Sequence, residues 1–161
     1  MLAVVLEGDE ALKARFAALP AEIIERLAAK AALLAQALAD KVKDDKLSGG
    51  VLNAVSGALR ASIVAEVRAD ENGVFAGIGS AGDVKYAAIQ EFGGKTPAHE
   101  ILAVKARALA FASNGAVIFA KRVDHPGSVI PERSYLRSSL VEMADEIVAG
   151  LAEAAREALD R

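Results

Sequence analysis

The spacing of apolar residues switches along this chain from helical to alternating and back to helical, and that switching limits what it can fold into. From Ala21, the residues Ile24, Leu27, Ala31, Leu34 and Leu38 alternate by three and four, with Glu22, Glu25, Arg26, Lys30 and Asp40 off the stripe. This is one apolar face of a helix running roughly from Ala21 to Lys43. From Leu59 the period falls to two. Leu59, Ala61, Ile63, Ala65 and Val67 alternate with Arg60, Ser62, Glu66 and Arg68, broken only at Val64. That pattern predicts a half-buried strand, with Asn72-Gly73 as the turn into a partner strand from Val74 to Gly79. Leu102 to Phe111 and Ala116 to Val123 flank Ser113-Asn114-Gly115 and give a second hairpin. Helical spacing then returns at Leu136, Leu140, Met143, Ile147 and Leu151, on a helix directed towards Arg161. These elements predict one α+β domain over residues 1–161, an antiparallel sheet of two hairpins packed by a long N-terminal helix and a long C-terminal helix.

The remaining segments fit around that frame. Met1 to Leu6 reads as a short strand, Gly8-Asp9 offers a cap for a helix near Glu10, and Pro20 interrupts it. Asp44 to Ser56 and Lys95 to Glu100 read as polar loops that become ordered on assembly. Tyr86 to Gly94 predicts a short helix ended by glycines, with Tyr86, Ile89 and Phe92 as the anchors that pin it to the sheet. The stretch Asp124 to Leu140 joins the last strand to the last helix. Pro126 and Pro131 stiffen it, Gly127 permits a turn, and Pro131 falls just before the helix or in its first turn. A rigid connector of this kind aims the final helix, the Arg133 and Tyr135 side chains, or a neighbouring subunit.

Composition removes several classes of chemistry. With no cysteine there is no disulfide framework, thiol nucleophile or thiolate metal site, and a reducing compartment is the natural expectation. The only histidines, His99 and His125, lack the spacing of a ligand set, so no metal and no cofactor is expected. Gly77 to Gly82 lacks the lysine of a phosphate loop, and no nucleophile elbow is present, so an enzyme is not expected. A net charge of −3 and 4% aromatic residues argue against a sequence-specific nucleic-acid surface. Lys105, Arg107, Lys121 and Arg122 nevertheless gather on the second hairpin, where they face solvent, an acidic partner or nucleic acid. The start of the chain does not resemble a secretory signal, and no apolar run reaches membrane-spanning length.

The order of GALRASI (Gly57 to Ile63), YAAIQEFGG (Tyr86 to Gly94), FAKRVDHPGS (Phe119 to Ser128) and IPERSYLRSSL (Ile130 to Leu140) resembles the tailed-phage minor tail and tail-completion family. That family includes lambda Z-like and Mu-type virion morphogenesis relatives. The likeness runs from the long helix onwards and rests on the order of short motifs. Ser134-Tyr135 stands where the family pattern has Pro-Phe, which keeps the aromatic position. The resemblance implies a structural virion protein of a phage, prophage or gene transfer agent, made in the host cytoplasm and assembled as a ring at the head-proximal end of the tail. Its implied partners are further copies of itself, a hexamer being one such ring, and other neck and tail proteins, with passive passage of DNA through the ring and no membrane. The residues expected at the subunit interface are Arg122, His125, Pro126, Pro131, Arg133, Tyr135 and Arg137, the arginines meeting carboxylates such as Glu66, Asp83 or Glu91 of the next subunit. The competing readings are a small cytoplasmic enzyme and a nucleic-acid-binding module.

Overall fold

The computed structural model describes residues 21–159 apart from positions 54, 71, 105 and 114. The strand and helix expected before Pro20 lie outside the described residues. Helix α1 (Ala21–Lys41) turns Ile23, Leu27, Ala31, Ala35, Leu38 and Ala39 inward. Three of these are alanines, and their small side chains let neighbouring elements approach its axis closely. The helix then widens into a π-helical turn, Val42–Lys46, closed by Leu47 N–H donating to Val42 C=O at 3.0 Å. The wider turn places both Val42 and Leu47 in the core.

Gly57, at φ +73°, opens the single helical turn α2 (Ala58–Ser62), which leads into strand β1 (Ile63–Asp70). That strand pairs antiparallel with β2 (Gly73–Ser80) in unbroken register from Ile63 opposite Ser80 to Asp70 opposite Gly73. Asn72 N–H donates to Asp70 Oδ1 at 2.8 Å and tightens the turn. The alternating segment is therefore a strand only from Ile63, Leu59 being buried from the helical turn instead. Helix α1 packs across both strands of this hairpin.

Helix α3 (Ala87–Phe92) comes after the hairpin and ends at Gly93, φ +70°. A side chain at Gly93 would come within 2.7 Å of Glu132 N and 3.0 Å of Ile130 O, so only glycine lets the helix end meet the connector this closely. Six short strands come next: β3 (Gly94–Lys95), β4 (His99–Leu102), β5 (Leu109–Ser113), β6 (Ala116–Ala120), β7 (Arg122–His125) and β8 (Val129–Ile130). They pair in nested order, β3 with β8, β4 with β7 and β5 with β6, all antiparallel. The expected single sheet of two hairpins does not form: the first hairpin is a two-stranded sheet by itself, and the second is a ribbon of three further two-stranded pieces. Lys95 to Glu100, expected as a loop, contributes strand residues at its base.

The first two pieces share one register, since Gly94 lies opposite Ile130 and Leu102 opposite Arg122. The tip does not keep it. Leu109 pairs with Ala120, so the register shifts between Leu102 and Leu109, with only Lys121 between Ala120 and Arg122 on the other side. Ala103 N–H still donates to Lys121 C=O at 3.1 Å, and this break in register, the elbow of the ribbon, separates the tip from the base.

The C-terminal helical segment is divided at Met143 into α4 (Leu136–Glu142) and α5 (Ala144–Leu159) rather than being continuous. Helix α5 packs on α1. The main core joins Leu38, Val42, Leu47, Ile63, Ile78, Tyr135, Leu136 and Met143, and a smaller one joins Ile23 and Leu27 of α1 to Ala154 of α5. The molecule is an α+β fold in which short antiparallel hairpins accompany helices at either end of the described chain.

Candidate functional site

Two features stand out, the anchorage of the connector and the outer part of the ribbon. Glu91 is fully buried on α3, and its carboxylate gathers donors from the start of α4. Leu136 N–H donates to Oε2 at 2.8 Å, and Arg137 N–H to Oε1 at 3.1 Å. The first N–H groups of a helix have no partner within it, so Glu91 serves as a cap supplied from 45 residues away. Ser134 Oγ adds a bond to Oε1 at 3.2 Å, and Arg137 Nε adds another at 3.1 Å. Arg137 continues to Glu132 Oε1 at 2.6 Å and lays its guanidinium 4.8 Å from the centre of the Phe92 ring. The hydrogen bond to Glu91 raises the Arg137 pKa above its ordinary value.

Beside this clamp, Tyr135 is 1% exposed and its hydroxyl donates to Ala87 C=O at 3.2 Å. Burial first, and then the negative charge of Glu91, push its pKa up to about 12. Arg133 N–H donates to Gln90 C=O at 2.9 Å, and its guanidinium reaches Gln90 Oε1 at 3.3 Å. The connector from Arg133 to Arg137 is therefore fastened to α3 of its own chain, while its first part pairs with β3 and β4.

This changes the reading of several expected interface residues. Tyr135 is a core residue and cannot reach a neighbour without unfolding. Glu91 is inaccessible, so Arg137 meets it within the chain and not across subunits. Arg122 likewise has carboxylates at hand in its own ribbon, Glu100 at 2.5 Å and Asp124 at 3.5 Å. His125 stacks on His99 with ring centroids 5.0 Å apart and accepts Gly127 N–H at Nδ1, 3.0 Å away. Pro126, Pro131 and Arg133 remain exposed. On α3 the inward residues are Ala87 and Glu91, while Tyr86 and Phe92 are 43% and 47% exposed and Ile89 is half-buried. The helix is thus turned away from the face that Tyr86 and Phe92 would have docked.

The outer ribbon presents the opposite situation. In β5 and β6, Ala110 lies opposite Phe119 and Ala112 opposite Val117 on one face, with Leu109 opposite Ala120 and Phe111 opposite Ile118 on the other. Neither face carries a polar side chain over these residues. Among the described residues the ribbon makes no sizeable contact with any helix or with the first hairpin. Phe119 is 71% exposed and Val117 64%, and Val104 in the elbow stands clear of the protein at 88%. Of the four basic residues expected here, Arg107 and Lys121 lie exposed at the elbow and Arg122 begins β7, while Lys105 is outside the described residues.

A cleft of about 400 Å³ opens between the 47–60 segment and α3, lined by Leu47, Leu52, Leu59, Tyr86, Gln90 and Arg133. Among the described residues no group of three or more His, Asp or Glu side chains is placed to hold a metal ion, and no helix is long and apolar enough to cross a membrane. Comparison with known proteins returned no matching family model, no matching curated protein and no matching solved structure.

Proposed function

We propose that this chain is a structural, self-associating subunit of a tailed-phage-type particle, acting in ring form at the head-proximal end of the tail in tail completion or head–tail joining. The observation that carries this reading is the ribbon with two apolar faces that no other element covers among the described residues. A free two-stranded hairpin is marginal in water, and an apolar one with open edges invites pairing with another chain. A chain that keeps such a ribbon is built to have it covered. The order of short motifs shared with the minor tail and tail-completion family supplies the biological setting. The fastening of the connector to α3 supports it in a further way, because a rigid body lets an arm be presented at a fixed angle with little entropy lost on association.

Electron microscopy of tailed particles carrying a labelled copy of the chain tests the proposal. The label is expected at the junction of tail and head. A label spread along the tail, or absent from purified particles, would overturn it.

A further inference from the structure

We propose that His99 and His125 form a proton-operated latch at the base of the ribbon, closed while both rings are neutral and opened when His125 takes up a proton. The two residues stand opposite one another in β4 and β7, and their rings stack with centroids 5.0 Å apart and planes inclined by 27°. Each ring has one nitrogen committed to the backbone, and the partners fix where the protons sit. Pro97 C=O can only accept, so His99 Nδ1 donates to it at 3.2 Å and Nε2 keeps the lone pair. Gly127 N–H can only donate, so His125 Nδ1, 3.0 Å away, carries the lone pair and Nε2 the proton. A metal-bound imidazole donates from its second nitrogen, whereas His125 accepts there, so the pair suits protons and not a metal ion.

This arrangement treats two protons differently. The first goes to His99 Nε2 and breaks no hydrogen bond to the backbone. The second goes to His125 Nδ1, where it turns the acceptor of Gly127 N–H into a donor facing a donor. It also places two positive rings 5.0 Å apart. Among the described residues of these strands, nothing on the histidine face offsets that charge. Successive side chains of a strand alternate between faces, so Glu100 and Asp124 lie on the other side, where Arg122 already binds them at 2.5 Å and 3.5 Å. Ile101 and Val123 follow the histidines on their own side. Lys95 is the remaining charged residue of β3, β4, β7 and β8, and it adds positive charge.

The bond between Gly127 and His125 holds a joint. Gly127 is in a left-handed conformation, φ +87°, close against Thr96 C=O. Beside it Thr96 N–H donates to Ser128 C=O at 2.9 Å, and Ser128 N–H donates to Thr96 Oγ1 at 2.7 Å. These bonds lead into β3 and β8, a ladder of two residue pairs through which the ribbon meets α3 and the connector. Loss of the Gly127 bond therefore loosens the turn at residues 126–128, and with it the angle at which the ribbon leaves the body. Imidazole is the side chain that ordinarily changes charge between about pH 5 and 8, so mild acid is the signal that releases the ribbon.

The test is amide hydrogen exchange of the full chain, followed by NMR and corrected for the intrinsic effect of pH on exchange. Between about pH 7.5 and pH 5.0 the protection of Gly127 and Thr96 is expected to fall at least about fivefold, with α1 and α5 unchanged. His125→Asn keeps an acceptor oxygen at the same side-chain position and does not titrate, so its protection is expected to stay within about twofold over that interval. His99→Phe keeps a stacked ring but removes the first charge, and the loss is then expected at a higher pH than in the unaltered chain. The nitrogen-15 shifts of the His125 ring give a readout that needs no variant, with the proton expected on Nε2 at neutral pH. A proton on Nδ1 instead, unchanged protection in the unaltered chain, or a fall shared by α1 and α5 would overturn the latch. So would an equal fall in His125→Asn, or a transition that His99→Phe leaves in place.

Discussion

The body around α1 and the outer ribbon are built by opposite rules from the same alphabet. In the body each element hides one face: β1 and β2 lie under α1, α5 packs beside it, and Glu91 is buried only because four donors surround its carboxylate. Among the described residues of the ribbon none is fully buried. Leu109 to Ala112 and Ala116 to Ala120 are as apolar as a core strand, but both faces meet solvent. The contrast teaches that apolar content alone does not define a core. What matters is whether another element of the same chain arrives to cover it, and among the described residues none covers the ribbon tip.

Perturbing the body should cost stability, and perturbing the ribbon should cost association. The largest effect is expected at Glu91. Glu91→Ala removes the cap of α4 and leaves Arg137 and two backbone donors without their acceptor, a loss of about 3–5 kcal/mol in urea unfolding. Gly127 comes next, because its φ is +87° and a methyl group there would lie 2.2 Å from Thr96 C=O. Gly127→Ala should destabilise the ribbon base by about 1–3 kcal/mol, seen as faster hydrogen exchange near Thr96 and Ser128 with little change in the helices. A half-exposed ring stacked on Arg137 is worth less, so Phe92→Ala should cost about 1 kcal/mol. At the ribbon tip, Phe119→Ser should move monomer stability by no more than about 0.5 kcal/mol and yet abolish self-association.

Titration sharpens the same contrast. The folded-state pKa of Tyr135 is raised to about 12 from an ordinary 10.0, so its contribution to stability is complete below pH 10 and is lost as pH rises through about 12. Glu142 is held below its ordinary 4.5 by hydrogen bonds from Lys46 and then Lys41, so its contribution is lost as pH falls through that lowered value. Both groups belong to the body. Unfolding monitored across these two pH windows should therefore track the helices, with the ribbon tip adding nothing.

How much of this was legible in the sequence depended on whether local pattern or a distant partner set the outcome. The helix from Ala21 and the hairpin around Asp70 and Gly73 formed where local spacing placed them, although Ile23 and Ala35 are buried where Ile24 and Leu34 were expected, and the strand begins only at Ile63. The docking face of α3 did not. Tyr86, Ile89 and Phe92 are the apolar choices, but a carboxylate at Glu91 becomes the buried residue once Ser134, Leu136 and Arg137 bring donors from across the chain. Sequence shows Glu91 and Arg137, but not that a glycine contact at Gly93 brings their segments together. The ribbon was half legible. Its turn at 113–115 was marked by Ser-Asn-Gly, whereas the elbow at 103–108 contains neither glycine nor proline and shows only as a change of register. The lower strands were concealed by the polar run Lys95 to Glu100, whose pairing depends on partners some 26 residues away, as in His99 opposite His125.

On the proposed reading, the ribbon tip is covered by another copy. Its most direct test is sedimentation equilibrium of the full chain beside a variant in which residues 103–121 are replaced by Asn-Gly, which closes the hairpin at Leu102 and Arg122 with a two-residue turn. Concentration-dependent association of the full chain is expected, with a strictly monomeric variant that melts within about 2 °C of it. Equal association of the shortened chain, or a full chain that stays monomeric at millimolar concentration, would contradict it.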